Sequence, residues 1–198
     1  MSGSFYSGAH WHQTWTAERD ANIALPNADT LTSLNAGSKQ ISFSFPDTTG
    51  NKFSFPDKKY QGKVVLIQIM GTWCPNCLDE SQFLADYYLK NKSRGVEIIA
   101  LDYERMDDFE KAKKKIARFT SRLKINYPTL FAGTTTAENK KKSLPMLNHI
   151  MSFPTTIFIG KKGTVRKIHT GFNGPATGKL YEEFKTDFNS FMEKLIKE

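Results

Sequence analysis

Cysteine is scarce in this chain. Its 198 residues hold two, Cys74 and Cys77, both inside the run Trp73-Cys74-Pro75-Asn76-Cys77. With one pair there is no disulfide framework of the kind that staples small secreted domains, and the cysteine content reports no compartment. A structural zinc site needs about four ligands, and no second Cys pair or Cys/His pair at finger spacing exists here. Haem attachment needs His directly after the second cysteine, where Leu78 stands. A purely structural bridge normally closes a longer loop than two residues, because the entropic gain grows with loop length. Long apolar runs are missing as well. No stretch approaches the ~20 residues that cross a bilayer, and the N-terminus lacks the apolar region of a signal peptide. Met1-Ser2-Gly3-Ser4 reads as an expression remnant, which leaves room for a targeting segment trimmed from ahead of it.

What is present is the composition of an ordinary globular chain. Apolar residues make up 39%, with 15 Phe, enough to fill a core, and charged residues make up 24%. The length suits one full-size domain plus an extension. A formal charge of +8 raises the question of nucleic acid. The distribution answers it. The basic run from Lys111 to Arg122 falls around the outer faces of an amphipathic helix and lacks the interleaved aromatics of a single-strand binder.

The organising stretch is residues 63–80, KVVLIQIMGTWCPNCLDE. Val64, Val65, Leu66, Ile67 and Ile69 form an apolar run without clean alternation, which predicts a central strand covered on both faces. Gly71 and Thr72 break it, and Cys74 falls where the chain turns into a helix. Two residues between the cysteines let the second sulfur reach the first within one helical turn. Free N–H groups at the helix start then favour a thiolate on Cys74. That strand–CxxC–helix pattern points to a redox-active dithiol.

The rest of the chain reads as follows. In residues 9–15, Trp11 and Trp15 share one face of a possible strand and His10 and His12 the other. The pattern suits a strand or strap covering apolar surface more than a two-histidine metal site. Residues 24–38, rich in Asn, Asp, Thr, Ser, Pro and Gly, read as a linker or irregular cover. Ile41, Phe43 and Phe45, a turn at residues 46–51, then Phe53 and Phe55 predict a hairpin. After the motif come a helix over 75–92, a strand over 96–101 and a helix over 107–123 with Phe109, Ala112, Ile116, Phe119 and Leu123 inward. A short strand over 127–131 leads into a polar segment with Lys140, Lys141 and Lys142. Strands over 155–159 and 164–168 make an antiparallel hairpin before a last helix with Leu180, Phe184, Phe188, Phe191 and Leu195 buried. This is an α/β pattern with a mixed sheet.

The Trp73-Cys74-x-x-Cys77 after an apolar strand, and Phe153-Pro154-Thr155 before a later one, resemble the thioredoxin superfamily. The hairpin ahead of the central strand and the insertion before Phe153 resemble its TlpA/ResA-type branch of extracytoplasmic thiol-disulfide oxidoreductases, as found in Bacteroidetes-type proteins. The resemblance covers residues 39–198; residues 5–38 stand outside it as an extension that faintly resembles the tail of a preceding β-rich domain, behind the remnant at 1–4. It implies a thioredoxin-like fold: a central mixed sheet flanked by helices, with the hairpin and the insertion added. It further implies that Cys74 is the nucleophile and Cys77 the resolving thiol, forming a redox-active disulfide. Pro154 matches the cis-proline facing that disulfide, and Phe153 would offer backbone groups to an extended substrate. Trp73 and Pro75 would line the docking surface. No cofactor and no metal are implied. The partners implied are a disulfide-bearing protein substrate and a thiol-disulfide partner protein that supplies or accepts electrons, outside the cytoplasm, with membrane attachment only through a missing N-terminal segment.

One departure is informative. Thioredoxin carries a buried Asp six positions before the first cysteine, and Gln68, which cannot do acid–base work, stands there instead. Glu80 lies three residues after Cys77 on the same helix face, where the TlpA/ResA branch has an acid, and is the candidate proton acceptor, with Asp79 as the fallback. Two other functions remain open: a thiol peroxidase, although Met70-Gly71-Thr72 does not fit the Pro-x-x-x-Thr-x-x-Cys signature, and a metal-binding module using Cys74, Cys77 and a His. His149 and His169 have no partner visible in sequence and read as structural.

Overall fold

The computed structural model describes residues 1–9 and 11–198. At the N-terminus, β1 (Ser2–Ser7) and β2 (Trp11–Thr16) pair antiparallel as a separate two-stranded hairpin. Trp11 and Trp15 do share a strand face, but they stay about half exposed rather than covering the rest of the molecule. The partner strand, rich in Ser and Gly, carries no apolar alternation that sequence reading could detect. His10, paired above with His12 as conceivable metal ligands, lies outside the described residues; His12 stacks on Tyr6 with ring centroids 4.4 Å apart.

Residues 17–38 run as irregular chain, and their last part lies on the main body. Leu34 bridges to Leu147, and the Ser33 N–H donates to Asn148 Oδ1 at 2.9 Å. His169, read as unpartnered, meets Asp29 of this segment at 2.6 Å through Nδ1, a contact between residues 140 positions apart that no local pattern signals.

β3 (Phe43–Pro46) and β4 (Lys52–Phe55) form the expected hairpin. Asp47 closes its turn, its Oδ1 accepting the N–H groups of Thr49 and Asn51. The central strand β5 (Val64–Met70) follows, then α1 (Pro75–Asn91), β6 (Val96–Glu104), α2 (Phe109–Arg122) and β7 (Thr129–Thr134). The polar lysine segment is a helix, α3 (Ala137–Ser143). It buries no side chain, so it has no apolar stripe to read; the Thr136 hydroxyl caps it, accepting the Asn139 N–H. β8 (Thr155–Ile159), β9 (Val165–Thr170) and α4 (Lys179–Lys197) complete the chain.

The five-stranded sheet has the order β7-β6-β5-β8-β9, with β5, β6 and β7 parallel and β8 and β9 antiparallel to their neighbours. All seven residues of β5 are buried, which is why the run shows no alternation. Its period of two still sorts them. Val65, Ile67 and Ile69 pack with Phe43 and Phe55 of the hairpin, whereas Val64, Leu66 and Met70 pack with α1 and α4. Gln68 shares the second face, so its amide points beneath α1. Leu66 has no exposed surface, and Leu66→Ala is expected to lower the unfolding free energy by about 3 kcal/mol in a denaturant titration.

α4 buries Phe188, Met192 and Leu195, while Leu180 is 52% exposed. Leu180 sits in the first turn, outside the apolar cluster that takes in Phe184, Phe188 and Phe191. Met192, fully buried, completes the stripe in its place. Edge-on aromatic contacts of Phe188 with Phe83 and Tyr87, each at 4.9 Å, fasten α4 to α1. The CxxC motif is thereby set after the central strand, at the start of a helix packed between the sheet and α4.

Candidate active site

At the end of β5 the chain turns through Gly71, and only glycine fits. A Cβ there would lie 2.4 Å from Trp73 Nε1 and 2.8 Å from the Tyr103 carbonyl oxygen. The next residues are tied to the end of β6. The Thr72 N–H donates to Asp102 Oδ1 at 3.0 Å, the Thr72 hydroxyl donates to Glu104, and Trp73 Nε1 donates to the Tyr103 carbonyl at 2.9 Å. Cys74 is then the N-cap of α1, with Pro75 in the first turn, where its missing N–H costs nothing.

The two sulfurs have different surroundings. Cys74 Sγ accepts the Cys77 N–H at 3.3 Å and keeps 7% of its surface exposed; Cys77 is fully buried. The Cys74 thiol is pulled down to about 7, chiefly by the hydrogen bond from the Cys77 thiol. The backbone N–H groups of Cys77 and Asn76 and the charge of Arg105 add to this against the opposing effect of burial. Burial pushes the Cys77 thiol strongly up, and the bond to Cys74 and the nearby Glu80 charge push the same way.

Phe153 and Pro154 come up beside the motif, joined by a cis peptide bond; a second cis bond, Phe55–Pro56, was not signalled by the sequence. The Phe153 carbonyl oxygen lies 3.8 Å from Cys74 Sγ. The Phe153 ring meets Trp73 edge-on at 5.7 Å. Trp73 is half-buried between that ring and the Arg105 guanidinium, 4.4 Å from its centroid, and Pro75 is exposed. The four residues Trp73, Cys74, Phe153 and Pro154, 79 positions apart between Cys74 and Phe153, thus meet at one place.

Glu80 lies under the motif, 2% exposed. Its Oε2 accepts from Gln68 Nε2 at 2.8 Å and its Oε1 from the Thr156 hydroxyl at 3.0 Å. Gln68 Oε1 in turn accepts from the Ser81 hydroxyl at 3.1 Å. Burial raises the Glu80 carboxyl to about 7, opposed by those two hydrogen bonds and assisted by the Cys74 charge. Asp79, the fallback, is part-exposed and turned towards Gly174, on the groove between α1 and α4. Sequence reading missed Gln68 and Thr156 as partners of Glu80. The available signal was a lone amide inside an apolar strand, since a buried amide needs a buried partner.

A buried pair of acids, also missed, underlies the turn. Asp102 and Glu104 have no exposed surface. Burial and the neighbouring Glu104 push the Asp102 carboxyl well up. Glu104 Oε2 accepts from Lys115 Nζ at 2.5 Å. Removing that cation leaves the buried Glu104 carboxyl with the Thr72 hydroxyl as its only partner among the described residues, so Lys115→Met is expected to cost about 2 kcal/mol in chemical denaturation, and adding Glu104→Gln is expected to restore most of it. Among the described residues no group of three or more His, Cys, Asp or Glu is arranged to hold a metal, and no helix is long and apolar enough to cross a membrane.

A dithiol at a helix start, beside a cis-proline loop on a mixed sheet, is the arrangement of a thioredoxin-like thiol-disulfide oxidoreductase. Residues 36–168 match the model of the AhpC/TSA family, and the chain belongs to that family. It is 30% identical over 139 residues to the thiol-disulfide oxidoreductase ResA of Bacillus subtilis (strain 168), covering 70% of this chain and 69% of that protein. Among solved structures, a thioredoxin-family thiol:disulfide interchange protein from Chlorobium tepidum TLS shares the fold with a TM-score of 0.57 and 20% identity, over 80% of this chain and 96% of that one. The thioredoxin domain of a thiol-disulfide oxidoreductase from Bacteroides vulgatus does so with a TM-score of 0.53 and 21% identity, over 78% and 98%. The chain is therefore a thioredoxin-like redox enzyme of the thiol-disulfide oxidoreductase class.

Proposed function

We propose that this protein exchanges disulfides with protein substrates through Cys74 and Cys77, with Glu80 taking the proton from the resolving thiol. The observation that carries the reading is the asymmetry of the two sulfurs. Cys74 sits in a field that favours its thiolate, while Cys77 is sealed from solvent in front of a buried carboxyl.

In the reducing direction the Cys74 thiolate attacks one sulfur of a substrate disulfide. A Cys74–substrate bond forms, and the other substrate sulfur leaves as a thiolate that takes up a proton. Cys77 then gives its proton to Glu80 and attacks Cys74 Sγ. The Cys74–Cys77 disulfide forms, the second substrate sulfur leaves and is protonated, and two electrons have passed to the substrate. A thiol-disulfide partner protein resets the pair, and the same steps reversed oxidise a dithiol. Glu80 near 7 is matched to a proton moved at neutral pH. Phe153 and Pro154, with Trp73 and Pro75, form the docking edge for an extended substrate, and the TlpA/ResA-type resemblance supports work outside the cytoplasm.

The test is a redox titration of the dithiol in a glutathione buffer series. A reversible two-electron transition is expected. A midpoint near ~−270 mV assigns a reductant and one near ~−120 mV an oxidant. No reversible transition overturns the reading. A peroxide-consumption assay separates it from a thiol peroxidase, which would turn over peroxide with thiol as the only other reactant.

A further inference from the structure

Beside the motif runs a groove of about 330 Å³ whose floor is Trp73, Leu78 and Phe119. Its rim is one face of α2, carrying Lys115, Arg118 and Arg122, and no carboxylate lines it. Arg105 covers Trp73, so a third exposed guanidinium borders the motif. Trp73 precedes the first cysteine and Leu78 follows the second, so a chain lying in this groove passes alongside the dithiol.

The charges on α2 are not equivalent. Lys111 and Lys113, outside the groove lining, have acids three residues earlier, Asp108 at 3.0 Å and Glu110 at 3.8 Å, while Lys114, also outside it, has none. Lys115 is committed to Glu104. Arg105, Arg118 and Arg122 have no carboxylate within ion-pair distance among the described residues. Arg118 and Arg122 on the rim and Arg105 over Trp73 are thus left without internal carboxylates among the described residues, and an arginine's planar fork suits carboxylates. They stand over an apolar floor that a side chain can fill.

We infer that this groove docks the segment flanking a substrate's cysteine, and that the segment it fits is acidic, with carboxylates for Arg118, Arg122 and Arg105 and an apolar side chain for Trp73, Leu78 and Phe119. The inference rests on the oxidoreductase reading above and names the substrate class of that same site. Two unpaired arginines on the rim of an apolar trough and a third over Trp73 concentrate an acidic chain at the dithiol and hold its register there.

The experiment uses the full chain, reduced beforehand, in single turnovers with two synthetic disulfide peptides. Both share the cysteines and an apolar residue; one has Asp and Glu in the flanks and the other has Asn and Gln. The acidic peptide is expected to be reduced about tenfold more efficiently at low salt, the advantage appearing as a lower half-saturation concentration and shrinking as salt rises. Arg118→Gln/Arg122→Gln is expected to bring the acidic-to-neutral ratio close to one. Lys194→Gln/Lys197→Gln, with the same change of net charge at the end of α4 and outside the groove lining, is expected to keep it. Equal efficiency of the two peptides with wild type overturns the groove inference alone, as does a ratio that falls equally in both double variants. Tighter binding of a single-stranded oligonucleotide, displacing the acidic peptide through the same arginines, also overturns it. Reduction of neither peptide overturns the inference together with the reading on which it rests.

Discussion

Cys77→Ser is expected to accumulate a covalent adduct with a disulfide peptide, whereas Cys74→Ser accumulates none. The reason lies in access and charge. Cys74 Sγ caps α1, accepts the Cys77 N–H and is held near 7, so an appreciable part of it is thiolate at neutral pH. It can attack in the absence of Cys77, although losing the Cys77 thiol, the first cause of its lowered value, makes that attack slower than in the wild type. Cys77 has no exposed surface and its thiol is strongly raised, so without Cys74 it neither meets a substrate nor ionises. Steady-state turnover should fall by about 10³-fold or more in each variant, as when a nucleophile is removed from other covalent catalysts. Intact-mass measurement after mixing with the peptide separates the two. An adduct on Cys74→Ser of similar yield to that on Cys77→Ser would reverse the assigned roles.

The fold was largely legible in the sequence because its elements are amphipathic or fully apolar. Seven buried residues in β5, and the stripe Ala112, Ile116, Phe119 and Leu123 on α2, each announce a partner surface. What was not legible lacks that signature. α3 buries nothing and is set by its cap; β1 is Ser- and Gly-rich and is defined by its register against β2, such as Tyr6 against His12. Leu180 has the right spacing for the α4 stripe, yet the packed cluster does not extend to the first turn. Periodicity tells which face is apolar, not how far the partner surface extends.

The site divides along the same line. The placement of Cys74 and Cys77 at one helix start was readable because it depends on spacing along that helix, and the placement of Pro154 because it lies next to an apolar strand in a resembling motif. The groups packed around the motif from other elements were not. Gln68 and Thr156 come from β5 and β8, Asp102 and Glu104 from β6, and Lys115 from α2, joined by contacts that span from 11 to 76 positions. A sequence shows that Gln68 is a polar residue in an apolar run; the sheet order decides what it meets.

That meeting carries the second large prediction. Glu80→Gln is expected to slow the release of the mixed disulfide by about 10² to 10⁴-fold, the usual contribution of a positioned base, and to make the fold more stable at alkaline pH. The two effects have one origin. Burial raises the Glu80 carboxyl from its usual 4.5 to about 7, so the folded state holds this proton more tightly than the unfolded chain does. Its favourable contribution is fully present below about pH 4.5 and is lost as pH rises through about 7. That rise of the carboxyl corresponds to roughly 3 kcal/mol. An amide at this position can accept from Gln68 and donate to the Thr156 hydroxyl, so the variant keeps both contacts without a charge to bury. Unfolding curves for the reduced proteins should therefore coincide near pH 4, part between about pH 4.5 and 7 and stay apart above that, with the variant the more stable. Over the same range, the wild-type rate of mixed-disulfide release should climb towards a plateau as Glu80 loses its proton, and the variant should lack that limb. A variant that gained stability but kept the rate and its pH profile would leave Glu80 as a buried charge with a structural role, and the resolving thiol would then lose its proton by another route.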